Sequence, residues 1–169
     1  MWIALFSRSG SEIEALCSYD HIPDLIISDR ELEDRSLSRD QYIVMSHDDI
    51  MKFLLTQKKA LITLHGYLRI LPSSVTLECN VYNGHPGDII LYPELKGINP
   101  QKKAFDLGYT PVGCVIHEVI PEVDEGRVVK YESKKVVDYS LEGYYNQLSN
   151  MQLKLWRDFF ERSNSTNSL

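Results

Sequence analysis

Residues 60–64, Ala-Leu-Ile-Thr-Leu, are nearly all apolar. A strand of that composition has to be covered on both faces, the condition of a parallel sheet between helices. Similar short runs stand at residues 2–6, 24–28 and 42–45, with a briefer one at 81–82. Between them lie stretches with helical spacing. Ile13, Leu16 and Cys17 follow the first run, with Ser11 as the N-cap where the turn before it is a plain one. Ile50, Phe53 and Leu54 follow the third, with Ser46 as the N-cap. Strand and helix alternate through the first half, which predicts an α/β chain with a mostly parallel sheet and flanking helices. Residues 29–40 are mostly charged and read as a solvated, partly helical connection.

From Thr110 the pattern changes. Two β-branched runs at 112–119 and 127–135 read as an extended C-terminal β-hairpin. Residues 141–162 read as one long amphipathic helix carrying Leu148, Met151, Leu155, Phe159 and Phe160. The expected organisation is one domain over 1–162 and a flexible polar tail over 163–169. No repeat and no dividing linker is visible.

Composition closes off several classes. No apolar run approaches the ~20 residues of a membrane span, and the opening run is too short for a secretory signal. The 18 basic and 24 acidic residues leave a net charge of −6, which gives no support for nucleic-acid binding. Cys17, Cys79 and Cys114 are widely spaced and form no thiolate zinc motif, so a cytoplasmic chain without structural metal is expected.

Chemistry in such a sheet gathers at the carboxyl ends of the strands. Four segments there carry polar groups. Arg8-Ser9-Gly10-Ser11 could cradle an anion at a helix start or be a plain turn. His65-Gly66-Tyr67-Leu68-Arg69-Ile70-Leu71 leaves the apolar fourth strand. Asn83-Gly84-His85-Pro86 follows the fifth, and Asn83 and His85, two apart, point to one side of extended chain. An amide donor beside an imidazole suits oxyanion stabilisation and proton transfer. Asp124, in Val123-Asp124-Glu125-Gly126, is either a turn aspartate before glycine or a carboxylate set against His85. A metal site on His65, His85 and His117 has ligand spacings that match no familiar pattern.

Together these segments resemble the folate-dependent formyltransferase family, with the glycinamide ribonucleotide transformylases as the nearest branch. Residues 3–14 resemble its first strand, phosphate turn and helix. His65-Gly66-Tyr67-Leu68-Arg69-Ile70-Leu71 resembles its folate segment, usually Ala-Gly-Phe-Met-Arg-Ile-Leu. Asn83-Gly84-His85-Pro86 matches the catalytic Asn-x-His-Pro. Residues 113–126, with His117 seven before Asp124, resemble the strand and loop ending in the catalytic aspartate.

The resemblance implies a Rossmann-like formyltransferase fold, 10-formyltetrahydrofolate as formyl donor and a small-molecule primary amine as acceptor. Asn83 would bond the formyl oxygen, and protonated His85 would stabilise the oxyanion. Asp124 would keep His85 charged and relay a proton through water. Leu68, Arg69, Ile70, Leu71, Val119 and Val123 would line the reduced-folate pocket, and Arg8, Ser9, Gly10 and Ser11 the acceptor side. His117 would support the site or be an ordinary strand histidine. A monomer or homodimer is expected, with no metal, nucleic acid or membrane partner. The chain departs from the family's Gly-Asn-Gly-Ser-Asn turn, reading Arg8-Ser9-Gly10-Ser11-Glu12, and Glu12 would repel a phosphate. The acceptor therefore stays open among glycinamide ribonucleotide, an amino-sugar nucleotide and a modified nucleotide. A hydrolase using water on the same site, and a silent folate- or nucleotide-binding protein, are the alternatives.

Overall fold

A computed structural model describes residues 1–31 and 36–165. In chain order the main elements are β1 (Trp2–Phe6), α1 (Ser11–Cys17), β2 (Leu25–Ser28), β3 (Ile43–Val44), α2 (His47–Thr56), β4 (Leu61–Leu64), α3 (Ser73–Thr76), β5 (Asn80–His85), α4 (Pro100–Asp106), β6 (Val112–Glu118), β7 (Val128–Lys134) and α5 (Leu141–Ser165). The strand order is β3-β2-β1-β4-β5-β6-β7. The pairings β3 to β2, β2 to β1, β1 to β4 and β4 to β5 are parallel, and that of β6 with β7 is antiparallel. This is the α/β architecture with a long C-terminal helix that the apolar runs predict. The chain divides into two compact units, Met1–Asn83 with Glu118–Gly126, and Gly84–His117 with Arg127–Leu169.

In the first unit one row of the sheet reads Ile43, Ile27, Leu5, Leu64 and Asn83. Successive strand side chains point to opposite faces. Ile3 and Leu5 accordingly join Ile27, Ile62, Leu64 and Val81 in a core capped by Ile50, Met51 and Leu54 of α2 and Val75 of α3. Ala4 and Phe6 point the other way, to Ile26, Ile13 of α1, Leu37 and Tyr42. Phe6 and Tyr42 meet edge-on with centroids 5.1 Å apart. Both faces of the strands are thus covered, as their unbroken apolarity demands.

The second unit is built on β6, β7, α4 and α5. Val112 opposes Lys134 and Val115 opposes Tyr131, with a register shift between Ile116 and His117. Along α5, Tyr144, Leu148, Met151, Leu155, Trp156 and Phe160 are buried. Phe159 is only half-buried, but its ring stands edge-on to Trp156. Phe105 of α4 meets Tyr144 edge-on at 5.5 Å.

Several expectations are corrected. The segment read as a solvated connection sends Leu37 into the core at 1% exposure and forms a 3-10 turn at Arg39–Gln41; residues 32–35 lie outside the described residues. Gly10, not Ser11, is the N-cap of α1, in a left-handed conformation at φ 77°. Ser46 does cap α2, its hydroxyl accepting from the Asp49 N–H. β5 extends to His85: pairing with Leu64 holds Asn83 in the ladder, and the strand runs on through Gly84, although asparagine and glycine have poor strand propensity. α4 was not foreseen; Asn99 in a left-handed conformation turns the chain and Pro100 opens the helix. α5 runs to Ser165, past the expected helix end at 162, and residues 166–169 lie outside the described residues.

The central position of Leu5, wholly buried in the row above, sets a test. Leu5→Ala is expected to lower unfolding free energy by about 2–5 kcal/mol, read as a lower urea midpoint with an unchanged m-value. A loss under about 0.5 kcal/mol, the range of neutral surface substitutions, would contradict the two-sided core.

Candidate active site

In the first unit the carboxyl ends of β1, β2 and β4 lie within one residue of a common row, which Asn83 of β5 joins. Leu5, Ile27, Leu64 and Asn83 share a row, so the segments that begin at Ser7, Asp29 and His65 leave the same edge of the sheet.

Asp29 ties three of these segments together. Its side chain is 1% exposed, and its Oδ2 accepts from Arg69 Nε at 3.1 Å. Arg30 Nε lies 3.4 Å from Oδ1. Ser7, itself buried, accepts the Leu68 N–H at 3.0 Å, and its hydroxyl favours the ionised Asp29 carboxylate. Burial alone would raise the Asp29 pKa; the bonds from Ser7, Arg69 and Arg30 outweigh it and hold the carboxyl below its usual range. The sequence reading missed Asp29, although its place directly after an apolar strand was a usable signal.

Arg69 is therefore fixed by Asp29 while its side chain stays 56% exposed. Its neighbours divide: Leu68 and Ile70 are exposed, and Leu71 is buried in the core. Tyr67 packs in the same core, and its hydroxyl meets His47 Nδ1 at 2.8 Å. Burial, then the charge of Asp29, pushes the Tyr67 phenol well above its ordinary pKa. His65 has its ring buried between Thr63 Oγ1, 2.8 Å from Nε2, and Glu12 Oε1, 2.6 Å from Nδ1. In the turn after β1, Arg8 is exposed, Ser9 half-buried, Gly10 buried and Ser11 exposed.

Asn83 ends its part of β5 half-buried. The N–H of Val119 donates to the Val81 carbonyl at 2.9 Å, which lays the segment leading to Asp124 beside β5, two residues before Asn83. Val119 packs on the core, Val123 is exposed, and Asp124 is half-buried in a turn at φ 55°. Gly126 closes that turn: a Cβ there would stand 1.7 Å from the Glu118 carbonyl oxygen. Only glycine fits, so the residue after Glu125 is set by close backbone approach.

In the second unit His85 is buried at 4% exposure, and its Nε2 lies 2.8 Å from the Leu95 carbonyl oxygen. A carbonyl can only accept, so Nε2 carries the proton and Nδ1 is the nitrogen at which the imidazole gains or gives one. Gly84 lets the backbone pass against Gln152 and Trp156; a Cβ there would come within 2.5 Å of Gln152 Nε2. Asp88 is buried and accepts from the hydroxyls of Tyr131 and Ser133 and from the Leu91 N–H. His117 is buried within β6. Cys17, Cys79 and Cys114 are free thiols, and burial raises the pKa of Cys17 and Cys79. Among the described residues no three His, Cys, Asp or Glu side chains are grouped to hold a metal ion, and no helix is long and apolar enough to cross a membrane.

A family model described as formyl transferase matches residues 19–156. The chain belongs to the formyl transferase family.

Among curated relatives of this formyl transferase, the trifunctional purine biosynthetic protein adenosine-3 of Drosophila pseudoobscura pseudoobscura is 32% identical over 110 residues, 64% of this chain and 7% of that protein. The formyltetrahydrofolate deformylase 2, mitochondrial, of Arabidopsis thaliana is 35% identical over 65 residues, 36% of this chain and 20% of that protein. The chain thus spans under a quarter of the length of either relative. Its fold is that of the phosphoribosylglycinamide formyltransferase of Streptococcus pneumoniae TIGR4, with a TM-score of 0.81, 18% identity, and coverage of 95% of this chain and 97% of that one.

Two tests of the site's scaffold follow from these contacts. Because the folded-state pKa of Asp29 is depressed, its stabilisation is present above the unfolded carboxyl pKa of about 3.9 and is lost as pH falls through the folded value. Asp29→Asn is expected to cost about 1–3 kcal/mol at pH 7, and the gap to wild type should narrow in urea titrations below about pH 4. An equal gap at both pH values would refute this linkage. Gly126→Ala should unseat the Asp124 turn, seen as rapid amide exchange confined to residues 119–126; unchanged protection there would show that the turn absorbs the Cβ.

Proposed function

We propose that this formyl transferase moves a formyl group from 10-formyltetrahydrofolate to a primary amine of a small substrate. The observation that carries the reading is the placement of Asn83 and His85 two residues apart on β5, at the carboxyl end of the strand, with the Nε2–H of His85 held by the Leu95 carbonyl. An amide donor and an imidazole with a defined tautomer are what a developing oxyanion requires. In this reading the exposed side chains of Leu68, Ile70 and Val123 contact the reduced pterin, and Asp29 holds Arg69 on the folate segment. Val119 and Leu71 support that surface from the core.

The donor supplies an activated formyl carbon on nitrogen. Asn83 donates its amide N–H to the formyl oxygen. His85, protonated at Nδ1, donates to the same oxygen as the amine lone pair adds to the carbon and the carbonyl electron pair moves onto oxygen. Asp124 supplies the negative charge that favours the imidazolium, and through a water it accepts the proton lost by the attacking amine. It returns that proton to the folate nitrogen as the carbon–nitrogen bond breaks, so tetrahydrofolate leaves neutral at that atom. Arg8, Ser9, Gly10 and Ser11 serve the acceptor side.

The similarity to a deformylase favours one second reading, in which water replaces the amine and formate is released. Tetrahydrofolate release from 10-formyltetrahydrofolate, measured with and without primary amines, separates the two: dependence on amine supports transfer, and release in water alone supports hydrolysis. Asp124→Asn and Asn83→Ala should each keep the fold and lower kcat by about 10²–10³-fold. Full activity in either variant would remove that residue from the mechanism, and folate binding without turnover in wild type would reject both readings.

A further inference from the structure

The turn at residues 7–12 has the outline of an anion cradle, but the N–H groups of Ser7 and Ser11 and the space at its glycine are already used. Gly10 is buried, and a Cβ there would stand 2.7 Å from Leu37 Cδ1. Its missing side chain admits Leu37 rather than a ligand. The Ser11 N–H is taken by Ser9 Oγ at 3.3 Å, and the two serine hydroxyls meet at 3.1 Å.

The charge at the turn also runs against an anion. Glu12 and Glu14 stand in the first turn of α1, where they complement the exposed N–H groups. Arg8 offers one cation against these two carboxylates. Glu12 is not at liberty to swing aside. Its Oε1 is 2.6 Å from Nδ1 of His65, whose side chain has no exposure. Nε2 of His65 is in turn 2.8 Å from Thr63 Oγ1, which accepts from the Trp2 indole N–H at 2.8 Å. The Glu12 side chain keeps 27% exposure, and its bond to His65 is made through Oε1.

We infer that Glu12, positioned by His65, is a specificity-determining residue that accepts a hydrogen bond from an uncharged, hydroxyl-bearing end of the acceptor and disfavours a phosphate there. This rests on the amine-acceptor reading above and narrows it to acceptors whose sugar is unphosphorylated at the turn. A charge-assisted bond from a hydroxyl to Oε2 is favourable, whereas a phosphate dianion would meet a carboxylate that cannot retreat.

The test uses the full chain in two arms. In the first, kcat/KM for formyl transfer is compared between glycinamide ribonucleotide and its phosphate-free riboside. Wild type should prefer the riboside by about tenfold, and Glu12→Gln should erase or reverse that preference. A wild-type preference for the phosphorylated acceptor, or a ratio that Glu12→Gln leaves unchanged, overturns the inference while leaving formyl transfer intact. In the second arm, calorimetry follows inorganic phosphate itself. No saturable binding to wild type and a gain in Glu12→Gln supports the inference, and phosphate binding to wild type or none to the variant overturns it. If neither acceptor is turned over, the amine-transfer reading fails for these acceptors and the calorimetric arm decides the carboxylate's role alone. His65→Gln, which keeps a donor to Glu12, should hold the wild-type ratio, whereas His65→Ala should move it toward that of Glu12→Gln.

Discussion

Everything in the first unit depends on burying both faces of strands that have no polar face to offer water. Ile3 and Leu5 go to one side and Ala4 and Phe6 to the other, and each side needs its own helical cover. Burial of side chains on this scale is the main favourable term in folding. It also fixes the strand ends in register, and the polar segments that leave those ends can then meet with ångström precision. Ser7 and Arg69 reach Asp29 because β1 and β4 end beside β2 in nearly one row.

Much of this was legible in the residues. The apolar runs at 60–64 and 2–6 found β4 and β1, and the spacing of Ile50, Phe53 and Leu54 found α2. The long helix was visible in Leu148, Met151 and Leu155. What escaped was set by neighbours remote in sequence. Leu37 sits in a charged stretch and is buried because Gly10 makes room for it. Strand β5 runs through Asn83 and Gly84 to His85 although asparagine and glycine are poor strand formers; pairing with Leu64 holds Asn83 in the ladder.

The candidate site shows the same division. Residue types pointed to Asn83 and His85 as an amide and an imidazole suited to oxyanion chemistry, whereas spacing alone favoured a turn aspartate at Asp124 and only the family resemblance made it a candidate carboxylate. Their local supports were not readable. Glu12 and His65 each look like a departure when taken singly, yet they are 53 positions apart and bonded to one another. A repulsive acid read from the turn alone turns out to be an anchored one. Gly126 looked like an ordinary glycine after a turn aspartate, and it is instead required by the Glu118 carbonyl.

The partner that assigns the His85 tautomer is a main-chain oxygen. Replacing the side chain at position 95 leaves that oxygen in place, so the imidazole's protonation pattern can persist while the surrounding loop drifts in composition. An alanine scan would pass over this determinant in silence. It would come to light only through changes that reroute the backbone itself, such as deletions, insertions or an ester in place of a peptide bond.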